Sequence, residues 1–128
     1  MISTEATEAY NSRLTVDLSK ISELTAAQRD QVKSYGSQAE ALIKNRDLAM
    51  FIHHYKFLLA DTLSEMGGHT AEANAERVAM GNSLAGITGF VNSLKRAVYY
   101  KNKVIAWEQS ATAPLQKNEL KQVFDPNR

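Results

Sequence analysis

Ser64-Glu65-Met66-Gly67-Gly68-His69-Thr70-Ala71-Glu72 is the stretch that decides the fold. Adjacent glycines take the left-handed conformation cheaply, so Gly67-Gly68 predicts the end of one helix. Thr70 is a good N-cap, and Glu72 sits in the first turn of the next helix, near its positive end. A turn this short between two helices makes them antiparallel neighbours.

Working outward, both flanks carry helical periodicity. Upstream, Leu48, Ile52, Tyr55, Leu59, Thr62 and Met66 recur at steps of three and four. Val32, Tyr35, Ala39, Leu42 and Ala49 form an earlier stripe, one position out of phase, with a polar step at Arg46. The phase change lies at Asn45, Arg46 and Asp47. Either a helix ends there and restarts with Asp47 as N-cap, or it continues and turns a different face inward. Gly36 weakens this helix by roughly 1 kcal/mol relative to Ala without ending it. Downstream, Leu84, Ile87, Val91, Leu94, Val98 and Ile105 make a seam interrupted by Lys101. Phe51, Phe57, Phe90 and Val104 are left over as residues flanking these seams. No proline occurs before Pro114, which favours long helices. The last long helix is expected to end near Ser110.

At the N-terminal end a helix should start near Ser3 or Thr4. Tyr10, Leu14, Asp17, Ile21 and Leu24 then predict a coiled-coil-like stripe. Thr25-Ala26-Ala27-Gln28 matches a capping box, with Leu24 as staple residue. The expected fold is therefore all-α: an antiparallel helical bundle or long helical hairpin of three to four helices, with a short C-terminal tail element. Helices are expected near 3–24, 26–66 and 70–109. The bundle domain is expected over 1–113 and a docking or partner-binding tail over 114–128. Leu120, Val123 and Phe124 can form an amphipathic turn in that tail.

Composition narrows the function classes. There is no cysteine, which excludes disulfides, thiolate metal sites and cysteine nucleophiles. The N-terminus lacks the basic and apolar regions of a secretory signal, and a cytoplasmic location is expected. Val78–Leu94 carries no charge for 17 residues, but Asn82, Ser83, Thr88, Asn92 and Ser93 interrupt it. It reads as a bundle helix, and no membrane partner is expected. The charge is uneven: residues 95–128 hold seven Lys/Arg against three Asp/Glu, while residues 1–30 hold three against five.

Four places in the sequence are candidates for chemistry or binding. Arg96, Tyr100, Lys103 and Trp107 recur at steps of four, three and four, with Lys95 and Tyr99 beside them. Cations neutralise phosphates and aromatic rings stack on unpaired bases, so this stripe is a candidate nucleic-acid face. The plainer reading is a solvated helix face whose aromatics pack on the tail or on another subunit. Gly81, Ala85, Gly86 and Gly89 are candidates for close helix packing or an oligomer interface. Three glycines inside a helix cost roughly 2–3 kcal/mol, which close packing would offset.

The histidines are the third place. His53 and His54 are adjacent and point to different faces, while His69, Glu72 and Glu76 share a spacing that could converge. Asp61 and Glu65 lie one turn apart. No Glu-x-x-His motif of a di-metal bundle is present. Neither a metal nor another cofactor is expected. Fourth, no serine or threonine sits in a nucleophile elbow, and no catalytic residue is assigned. The chain is expected to be a non-catalytic interaction protein that self-associates and binds an unidentified protein partner. The alternative is a nucleic-acid-binding accessory factor.

Overall fold

The computed structural model describes residues 2–124, with side chains described through Ala111. It is an all-α bundle, as the periodicity predicts. The elements are α1 (Ile2–Ser12), a 3-10 turn (Ile21–Glu23), α2 (Ala26–Lys44), α3 (Arg46–Glu65) and α4 (Ala71–Phe124). No strand occurs among the described residues.

The helix ends follow local chemistry. The Thr25 N–H donates to Gln28 Oε1 at 2.9 Å, and the Gln28 N–H donates back to Thr25 Oγ1 at 3.1 Å. This is the reciprocal capping box that opens α2. The stretch 26–66 is two helices. Of the two alternatives the break holds, but its N-cap is Asn45 and not Asp47: Asn45 Oδ1 accepts from the Leu48 N–H at 3.0 Å. The Asn45 N–H meanwhile closes α2 on the Leu42 carbonyl at 3.1 Å. One residue thus terminates one helix and starts the next. Asp47 falls in the first turn of α3, where its carboxylate faces the positive helix end.

At the deciding stretch, Gly68 takes φ +83°, the left-handed conformation. Thr70 Oγ1 accepts from the Ala73 N–H at 3.1 Å and caps α4. Arg77 then ties the turn down. Its guanidinium donates to the Gly68 carbonyl and to Asn74 Oδ1.

Two expectations about helix extent are corrected. The first helix stops at Ser12, not near residue 24. Arg13 folds its guanidinium over the Tyr10 ring, 3.8 Å from the centroid, and donates to the Tyr10 carbonyl at 2.7 Å. Beyond it, Leu14, Val16 and Leu18 are half-buried while Thr15 and Asp17 are exposed. That is a period of two, so the chain is not helical there. Asp17 ends the run by accepting from the Ser19 N–H (3.0 Å) and hydroxyl (2.6 Å). Those two bonds hold the Asp17 carboxyl below the usual carboxylate range.

The last helix does not end near Ser110 but runs on through Pro114 to Phe124. Proline removes one hydrogen bond. A helix already some forty residues long propagates without paying nucleation again. Leu120, Val123 and Phe124 lie on this stretch, and their side chains are outside the described residues.

The chain forms two compact units. The first holds residues up to Gly36 together with those from Tyr99 on; the second is Ser37–Val98. In the first, Leu24, Val32 and Val104 are buried together, and Leu14, Val16, Leu18, Ile21 and Tyr100 pack around them. Val104 is 0% exposed. Expected as a flanking residue, it is the centre of this core. Around Tyr100, Val104 and Glu108, α4 is covered by α2 and by the 14–24 segment, so the buried arc is wider than a two-helix seam.

In the second unit, α3 and the first half of α4 pair. Met80, Leu84, Ile87, Val91, Leu94 and Val98 are half-buried, at the expected steps. On α3, Ile52, Leu59 and Leu63 are also half-buried, as is its C-cap Met66. The buried residues of this unit are the small Ala39 and Ala97.

Candidate interaction surfaces

The basic and aromatic stripe of α4 is divided by the fold. Lys95 and Arg96 belong to the second unit and are exposed. In the first unit, Tyr99 and Lys103 point outward, with Lys103 Nζ 5.5 Å from the Tyr99 ring centroid. Tyr100 turns the other way and packs on the Leu24–Val32–Val104 core, its ring edge-on to Tyr99 at 5.2 Å. Trp107 is half-buried beneath the Arg29 guanidinium, 4.9 Å from its ring. Tyr100 and Trp107 thus stand at the rim of the buried arc and Tyr99 and Lys103 outside it. The two rings best placed by sequence for base stacking already have protein partners.

Trp107 also marks a charged latch that the sequence did not disclose. Arg29 Nε donates to Glu108 Oε2 at 3.2 Å, and Arg29 Nη1 donates to the Leu24 carbonyl at 2.7 Å. Lys33 Nζ donates to the other Glu108 oxygen at 2.8 Å and pairs with Asp30 at 3.4 Å. The latch joins α2 to α4 across 75 or more residues of sequence, so no local pattern announces it.

Lys33 is the main reason the Glu108 carboxyl is held below its ordinary range, with Arg29 adding to it. Glu108 in turn raises Lys33 above its ordinary value. A depressed carboxyl stabilises the fold above its unfolded value and loses that contribution as pH falls through the folded one. A raised lysine contributes below its unfolded value and loses it as pH rises through the folded one. The latch is therefore at full strength between the ordinary carboxylate and lysine ranges. Glu108→Gln should lower the thermal midpoint at about pH 7. Its difference from the parent should shrink as pH falls below the ordinary carboxylate range and through the depressed range of folded Glu108. A difference independent of pH would assign the loss to packing.

The glycine face is open. Gly81, Gly86 and Gly89 have no other atom within 4 Å of where a Cβ would stand, and Ala85 is exposed with them. Among the described residues, no closely packed neighbour offsets these glycines.

The second unit instead presents an apolar groove between α3 and α4. Leu48, Phe51, Ile52, Tyr55 and Leu58 line it from α3, and Ile87 and Phe90 from α4; His54 is its one histidine. It encloses about 380 Å³. Phe51 is 77% exposed and Leu58 63%. Leu48, Phe51, Tyr55 and Leu58 follow the helical repeat along a flank of α3 adjacent to its packed seam. Phe51 and Phe90, left over from the seams in sequence, meet here. The signal available was this second stripe, which shares Leu48 and Tyr55 with the first and takes Phe51 and Leu58 in place of Ile52 and Leu59.

His53, His54 and His69 are exposed, as are Asp61, Glu65, Glu72 and Glu76. Among the described residues, no three histidine, aspartate or glutamate side chains are grouped as a metal ion would require. No described helix is long and apolar enough to cross a membrane. No protein-family model, curated protein or solved structure matches the chain.

Proposed function

We propose that this chain is a non-catalytic helical interaction protein that self-associates and acts by binding a partner macromolecule. The observation that carries this reading is the uncovered apolar groove of the α3–α4 pair. An antiparallel helix pair buries one face of each helix and leaves the flanks to solvent unless something else covers them. Here one flank is polar only in part, and it displays Phe51, Tyr55, Leu58 and Phe90 together. Large apolar side chains gathered on one surface mark an interaction site.

The test is sedimentation of the full chain across a wide concentration range. The expected result is a concentration-dependent species larger than the 14.2 kDa monomer. A monomer at every concentration up to about 100 μM, some hundredfold above a micromolar dissociation constant, overturns self-association. Titrating the same samples with a single-stranded oligonucleotide, while following the sole tryptophan, checks the other class of function. The reading expects an unchanged Trp107 signal. Quenching that weakens with salt would transfer the function to nucleic acid.

A further inference from the structure

We infer that the occupant of the α3–α4 groove is the same groove of a second copy of this chain, the two related by a twofold axis. This rests on the self-association reading above and assigns its surface.

Charge selects the occupant. Around a twofold axis a residue near the centre meets its own counterpart, so any net charge there repels itself. The groove lining contains no lysine, arginine, aspartate or glutamate. On the α4 side the charge-free run extends from Val78 to Leu94. A surface without charge is what pairing with itself requires. A basic or acidic partner would find nothing here to recognise.

Shape agrees. The same surface carries both a projection and a hollow: Phe51 stands 77% exposed at the side of a groove of about 380 Å³. With the axis at the mouth of the groove, the two Phe51 rings face each other across it. The groove side chains also supply a large part of the area a stable pair buries. The exposed parts of Phe51, Tyr55, Leu58 and Phe90 come to roughly 400 Å² of apolar side chain per chain. Twofold pairing counts this twice, giving about 800 Å² from four side chains in each copy. Stable interfaces bury about 1,200–2,000 Å² in total, and half-buried neighbours such as Ile52 and Ile87 supply more. Gly81 lies on the far side of α4 from Phe90, whereas Gly86 stands one turn before Phe90, at the edge of the proposed contact.

The experiment compares the full-length parent with Phe51→Glu, Phe51→Lys and Leu58→Glu by sedimentation. Phe51 and Leu58 are exposed in the single chain, so helicity by circular dichroism should be unchanged. A dimeric parent is expected, with each variant alone weakened at least about a hundredfold by like charges brought together. Mixing Phe51→Glu with Phe51→Lys should restore a dimer, because opposite charges then meet across the axis. A dimeric parent whose variants stay dimeric overturns this surface while leaving self-association standing. A monomeric parent overturns both. Variants that dissociate but are not restored by mixing overturn the twofold contact through Phe51.

Discussion

Val104→Asp is expected to unfold the first unit. Val104 is fully enclosed between Leu24 and Val32. An ionised carboxylate there loses its hydration with no cation in the described core to replace it. Losses of this kind exceed about 4–5 kcal/mol and rank among the most severe single changes. A domain's whole stability is about 5–15 kcal/mol. Trp107, held under Arg29 at the edge of this unit, should report the collapse as a red shift in emission. Val104→Ala provides the graded companion. It removes two methyl groups, leaves a small cavity, and should cost roughly 2–3 kcal/mol. A Val104→Asp protein that melts within a few degrees of the parent would show that residue 104 is not at the centre of a packed core.

The triple change of Gly81, Gly86 and Gly89 to alanine is expected to stabilise the chain. Each glycine lies inside α4 with open space where the new methyl would go. Each alanine removes roughly 0.5–1 kcal/mol of unfolded-chain entropy that glycine loses on helix formation. Together they should add about 2–3 kcal/mol and raise the melting midpoint by about 6–12 °C. Thermal melts checked by circular dichroism decide it. The spacing of small residues in the sequence suggested the opposite result, because glycines that serve close packing cannot accept a methyl group. A lower midpoint, with loss of the self-associated species, would place another backbone against these glycines. It would also bring the glycine-bearing side of α4 into the contact between copies.

These two sites show how far the residues could be read unaided. The Gly67-Gly68 stop, the Thr70 cap, the Thr25–Gln28 capping box and the Leu84–Val98 seam all stand in the fold as read. Each depends on contacts within four residues, so spacing alone is enough. Reading Tyr10, Leu14, Asp17, Ile21 and Leu24 as a helical stripe failed for an instructive reason. Leu14, Val16 and Leu18 satisfy a period of two more strictly, and the helical template skipped the valine between the two leucines. Val104 was misplaced because a seam drawn for two helices has no room for a third neighbour. The stripe from Arg96 to Trp107 was drawn correctly on its helix. Sequence spacing carries no sign of which residues on such a face turn inward, and Tyr100 and Trp107 did.

Helix type, the turn at residues 67–68 and the caps were determined by the sequence alone, because backbone conformation and first-turn hydrogen bonds are local. Which faces those helices spend on one another was decided only in the tertiary structure. Arg29 and Lys33 find Glu108 through the packing of α2 on α4, Val104 becomes a core residue because a non-helical segment closes over it, and Phe51 and Phe90 become one surface because α3 turns back along α4. Each of these depends on residues far apart in the chain, and the hydrophobic effect that drives them together has no directional preference that a sequence pattern could record.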